Sequence, residues 1–128
     1  MRINTKNALN LWEQTFGDEQ YATDFSGALI RKDHYNDRTK TTPFTFKTKN
    51  KTYTVNHCTA WNIHHKRPLS KGGTNEVDNL EIINMEVHDR IENKTSFSIN
   101  ERSYHVVREK GNRKSYSISP TKIPLQNG

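Results

Sequence analysis

The chain has 128 residues, of which 30% are hydrophobic. With glycine added this is about a third, against roughly 45–50% in an ordinary soluble domain, so a large apolar core is excluded. Twenty Lys and Arg against 14 Asp and Glu give a net charge of +6, which excludes an acidic solvating protein and fits a polyanionic partner such as nucleic acid. The single cysteine, Cys58, closes no disulfide within the chain and supplies no Cys-paired zinc ribbon. No apolar run reaches the length of a membrane span, and MRINTKNALNLWEQ turns polar too early for a signal peptide. The expectation is one soluble, cytoplasmic domain over residues 1–128, without a membrane partner.

Leu9, Trp12 and Phe16 share one helical face, with Asn4 or Thr5 as cap and Gly17 as stop. Asp24-Phe25-Ser26-Gly27 reads as a turn before the apolar run Ala28-Leu29-Ile30, and residues 32–40 as a polar loop. Phe44-Thr45-Phe46 and Tyr53-Thr54-Val55 alternate around Lys47-Thr48-Lys49-Asn50-Lys51, which predicts a hairpin with a positive tip. Trp61-Asn62-Ile63 and Leu80-Glu81-Ile82-Ile83 are strand candidates separated by a loop over 68–79. Asn84 is positioned to cap a helix from about Met85 to Asn93. Phe97-Ser98-Ile99, Tyr104–Val107 and Tyr116-Ser117-Ile118 predict two or three further strands, with a turn over 109–114 and a loose tail over 119–128.

The chemistry concentrates in the middle. His34, His57 and His105 lie in contexts where a surface or hydrogen-bonded histidine is the ordinary reading. His64 and His65 are adjacent in a strand, so their rings leave on opposite faces, and strand twist at the end allows both to reach one site. From His65 the chain steps 3 residues to Pro68, 7 and 8 to Gly72-Gly73, 14 to Asn79-Leu80 and 23 to His88. The order and spacing of these residues resemble the HNH endonucleases of the ββα-metal nuclease superfamily. That family has an Asp-His or His-His pair, then Pro, Gly-Gly, Asn-Leu and a His or Asn on the following helix. This chain has Ala60-Trp61 where many members have Gly-Trp.

The resemblance implies an α+β fold with a ββα-metal core at about 56–95, the N-terminal helix and flanking hairpins completing the domain. It implies a metal-dependent endonuclease acting on DNA, with RNA also open, that leaves 5′-phosphate and 3′-hydroxyl ends. His65 would be the general base on water, for which imidazole is the best-matched side chain at cellular pH. Asn79 would orient that ring through its side-chain carbonyl. His64 and His88 would hold one divalent cation, Mg2+ or Mn2+. A His in the first position, where Asp is common, also admits Zn2+ or Ni2+. Glu92, four residues after His88, is a candidate third ligand, and an exposed helix carboxylate is its ordinary reading.

Lys66, Arg67, Lys71, Arg90 and Lys94 surround this segment, and Lys49, Lys51, Lys110, Arg113 and Lys114 mark two hairpin tips. As a set they are expected to contact phosphate; individually, a solvated basic surface is the ordinary reading. Gly72-Gly73 fit either a tight turn or a backbone approach to phosphate. Trp61 is expected in the core, and Cys58 as a small packed side chain. Two rival readings are a catalytically silent nucleic-acid-binding or inhibitory protein and a structural metal module. An acidic inhibitor or immunity protein is a further partner if the role is that of a toxin. Monomer and dimer are both open.

Overall fold

The computed structural model describes residues 3–108 and 116–121. The turn over 109–114 with Lys110, Arg113 and Lys114, and the tail beyond Thr121, lie outside the described residues. The architecture is α+β, with two α-helices and antiparallel strand pairs among the described residues.

Helix α1 spans Thr5–Phe16. Asn4 caps it by accepting from the Asn7 amide at 2.9 Å, and Gly17, at φ 66°, ends it. Ala8, Leu11 and Trp12 are buried, while Leu9 and Phe16 pack at the margin. Strands β1 (Tyr21–Thr23) and β2 (Leu29–Arg31) pair around the expected turn. Asp24 organises this turn: its Oδ1 accepts from the Ser26 and Ala28 amides and the Ser26 hydroxyl, and its Oδ2 accepts from the Asn84 amide. One buried carboxylate thus joins residues 60 positions apart.

Strands β3 (Thr41–Lys47) and β4 (Thr52–Cys58) form the expected hairpin, longer than the alternating segments alone indicate. Strands β5 (Trp61–His65) and β6 (Leu80–Asn84) form a second hairpin in which Trp61 opposes Asn84 and His65 opposes Leu80. Helix α2 (Met85–Ile91) follows directly. Asn84 caps it by accepting from the Glu86 amide, and its Nδ2 donates to the carbonyls of Leu29 and Cys58. The helix is two residues shorter than the expected end at Asn93: Glu92 takes φ 52° and leaves the helical path. Strands β7 (Ser96–Ile99), β8 (Arg102–Arg108) and β9 (Tyr116–Pro120) make a three-stranded sheet in the order β7-β8-β9. Ser119 and Pro120, expected in a loose tail, belong to β9.

The β5–β6 hairpin is largely buried on both faces, which explains the consecutive apolar residues Ile82 and Ile83. Trp61, Ile63, Leu80 and Ile82 pack with Ala8, Leu11, Trp12 and Ile30. Ile83 turns the other way, toward Val87, Ile91, Phe97, Ile99 and Tyr104. Trp12 and Trp61 are fully buried, with ring centroids 5.0 Å apart, and their indole N–H groups donate to the carbonyls of Glu19 and Lys32. By buried area each contributes roughly 4–6 kcal/mol before entropy is counted. Among the described residues no helix is long and apolar enough to cross a membrane.

Candidate functional site

The loop from β5 to β6 is held from within by one side chain. Asn79 is fully buried. Its Oδ1 accepts from the Arg67 amide at 2.9 Å, and its Nδ2 donates to the carbonyls of Arg67 at 3.0 Å and Thr74 at 2.8 Å. Gly73 lies against the same strut: a Cβ there would overlap the Arg67 carbonyl oxygen and stand 2.9 Å from Asn79 Nδ2. Gly72 takes φ 89° to close the short turn Leu69–Lys71. The two glycines therefore have different jobs, one conformational and one steric.

The same loop walls a cavity of about 280 Å³ lined by His64, His65, His88, Pro68, Ser70 and Glu92 among others. The adjacent histidines of β5 enter it from different directions. His64 is 3% exposed and faces His88 of α2, the ring centroids 5.2 Å apart and nearly perpendicular. His64 Nε2 is buried and has no hydrogen-bond partner. Burial, with His88 and His65 adding like charge, lowers the His64 pKa to about 3. Burial also lowers that of His88, against the opposing pull of Asp89. Both rings are thus neutral at pH 7, the state in which imidazole ligates a metal. His65, half-exposed, donates from Nε2 to Asn75 Oδ1 at 2.7 Å, which leaves the lone pair on Nδ1.

Several sequence expectations are corrected here. Asn79 makes no hydrogen bond to His65; its amide is used up on the loop backbone, and Asn75 is the residue on the His65 ring. Asn75 sits in a polar loop with no pattern to single it out. Glu92 lines the cavity with His88 as the C-cap of α2: its amide donates to the His88 carbonyl at 3.0 Å, and its φ of 52° ends the helix there. Among the described residues no three His, Cys, Asp or Glu side chains gather closely enough to hold a metal ion, so the set His64, His88 and Glu92 is not assembled. Lys66 is turned inward: its ammonium donates to the carbonyls of Asp78 and Tyr116 and lies 3.8 Å from Glu81. Arg67 donates from Nε to the Lys71 carbonyl and lies over the Tyr116 ring. Lys71 and Lys94 are exposed. Arg90 is exposed as well, and it lines a different cavity from the three histidines.

The other histidines are accounted for structurally. His34 is buried with its Nδ1 at 2.8 Å from Thr59 Oγ1, His57 packs against Phe44, and His105 meets Thr121. Trp61 is in the core, and Cys58 is half-buried with its thiol pKa raised by burial. Sequence reading also missed the Arg38–Asp89 ion pair, which ties the polar 32–40 loop to α2 one residue from His88.

The fold and site together define a small α+β protein with an imidazole-lined cavity where a hairpin meets a helix. Residues 47–94, the segment that carries all three histidines of the cavity, match the family model described as HNH endonuclease. Across that segment the chain is similar to the HNH family, a family of nucleases. Neither a curated protein nor a solved structure matches the chain.

Proposed function

We propose that the chain is a metal-dependent phosphodiester hydrolase acting on DNA, with residues 1–128 as one nuclease domain and β5, β6 and α2 as its ββα-metal core. The observation that carries this reading is the orphaned, buried Nε2 of His64, whose ring lies 5.2 Å from that of His88, centroid to centroid. An unpaired ring nitrogen in a dry setting costs about 1–3 kcal/mol unless something is bound to it. Two neutral imidazoles at a cavity wall fit a divalent cation with positions left open for phosphate and water. Bound there, the cation would neutralise charge on the scissile phosphate and the departing 3′ oxygen.

The proton chemistry falls to His65. Water attacks phosphorus as its proton passes to His65 Nδ1, the bond to the 3′ oxygen breaks, and that oxygen takes a proton from solvent water to leave as a 3′-hydroxyl. Asn75 holds the opposite nitrogen and so selects the tautomer with a basic Nδ1. Asn79 and Gly73 act at one remove, by fixing the loop that forms the cavity wall.

The test is relaxation of supercoiled plasmid by wild type and His65→Ala, with Mg2+, Mn2+, Ni2+ or Zn2+ and with chelator. Cutting that requires metal and falls at least 100-fold in His65→Ala supports the reading. A folded protein that shifts DNA in a gel but does not cut it with any of these metals moves the assignment to a silent nucleic-acid-binding or inhibitory protein.

A further inference from the structure

A cavity of about 510 Å³ lies apart from His64, His65 and His88. It lies between the β3–β4 hairpin and the opposite side of α2, and its lining includes Phe44, Phe46, His57, Val87 and Arg90. His88 and Arg90 are two residues apart, so they leave the helix about 200° apart. One short helix therefore separates the histidine cavity from this groove.

The hairpin has two unlike faces. Its register sets Phe44 opposite Val55 and Phe46 opposite Tyr53 on one face. The other face carries Pro43 opposite Asn56 and Thr45 opposite Thr54. Such a pattern ordinarily means that the apolar face is covered. Toward the tip it is open: Phe46 is 50% exposed, Tyr53 47% and Val55 44%. The charge beside it is positive. Lys47, Lys49 and Lys51 are exposed at the tip, and they and Arg90 make no ion pair among the described residues. Glu86 is the one acidic side chain in the groove lining.

We infer that this hairpin is a grip for an unpaired nucleic-acid strand, with Phe46 and Tyr53 stacking on bases and Lys47, Lys49, Lys51 and Arg90 holding the phosphates. Exposed aromatic rings flanked by cations are the general solution for single strands, because every base offers a π-face and every nucleotide a charge. A protein partner would want the apolar face without three lysines at its end; a base stack wants both. A helix is about 10–12 Å across, so the groove holds the strand about one helix diameter from the histidine cavity. The inference rests on the nuclease reading for its purpose, though binding is measurable without cleavage.

The experiment is fluorescence polarisation in chelator, with the full chain and a labelled oligonucleotide, single-stranded or annealed to its complement. Wild type is expected to bind the single strand more tightly than the duplex. Phe46→Ala/Tyr53→Ala is expected to weaken single-strand binding at least 10-fold with little effect on the duplex. Lys47→Gln/Lys49→Gln/Lys51→Gln should reduce the slope of log affinity against log salt by about 2. Both variants change exposed side chains, and unchanged circular dichroism and thermal unfolding verify that each is folded. Single-strand binding unaltered in Phe46→Ala/Tyr53→Ala overturns the inference. So does a concentration-dependent dimer that this variant abolishes while binding persists, which assigns the face to a second copy of the chain. If the variant loses single-strand binding but wild type fails to cut plasmid with any of the metals, the nuclease reading fails and the grip stands.

Discussion

Replacing Asn79 separates the two jobs an asparagine could do in this loop. A ring-orienting Asn79 would act through Oδ1, and Asn79→Asp would keep that acceptor. In the structure Asn79 is a fully buried strut with one acceptor bond and two donor bonds to the backbone of Arg67 and Thr74. Asn79→Ala abandons all three. At about 1 kcal/mol net for each, and about 1 more for the space left, the loss is about 4 kcal/mol. Asn79→Asp retains the bond from the Arg67 amide but turns an anionic oxygen onto two carbonyl oxygens without water to screen them. It is expected to cost more than alanine. Against a typical stability of about 5–15 kcal/mol this is severe. At about 4 °C per kcal/mol it lowers the unfolding temperature by roughly 15 °C. The assay is thermal unfolding in chelator by circular dichroism, with urea titration as a second measure. An Asn79→Asp protein within 1 kcal/mol of wild type would refute the strut and return Asn79 to His65.

Gly73→Ala should unfold the loop or the chain, costing more than about 3 kcal/mol, since its Cβ overlaps backbone; Gly72→Ala, with open space and a positive φ, should cost only about 1–2 kcal/mol. Parallel melts of the two decide this. The depressed His64 pKa makes the metal-free protein most stable above about pH 6.5 and weaker as pH falls toward 3, because the unfolded chain takes up the proton first. The His64 share of this loss is about 1.4 kcal/mol at pH 5.5, and His88 adds to it with the same sign. Urea unfolding at pH 7.5 and 5.5, for wild type and His64→Asn, should show the difference shrinking in the variant; an equal difference in both speaks against a buried neutral His64. Equilibrium dialysis with Zn2+ should find one ion per chain, lost in His64→Ala or His88→Ala and retained in Glu92→Gln. Retention by the histidine variants would place the cation elsewhere.

Much of this arrangement is legible in the sequence because local chemistry and tertiary demand agree. Asn4, Gly17 and Asn84 mark helix ends in the sequence and do so in the structure. The alternation of Phe44-Thr45-Phe46 with Tyr53-Thr54-Val55 shows its hairpin because that pair stands with few other contacts to override it. His64 and His88 meet because the hairpin and the helix that follows it are adjacent in the chain. What stayed hidden depends on a side chain choosing among partners that the sequence alone does not rank. Asn75 and Asn79 are both within reach of the His65 region, and only the path of the loop between them decides which one meets the ring and which one the backbone. Lys66 reads as a phosphate contact by position, but the carbonyl of Tyr116, 50 residues later, draws it inward. The helix ending at Ile91 is equally invisible, since Glu92 and Asn93 carry no stop signal and the break at Glu92 is a positive φ without a glycine.

We propose that this chain hydrolyses a phosphodiester bond with water that His65 deprotonates. The most direct measurement is cleavage of DNA in 18O-labelled water with metal present, followed by mass spectrometry of the new ends. Attack by water that His65 deprotonates predicts one 18O on each new 5′-phosphate, an unlabelled 3′-hydroxyl, and at least 100-fold less product from His65→Ala. Product without label on the 5′-phosphate, or the same yield from His65→Ala, would contradict it.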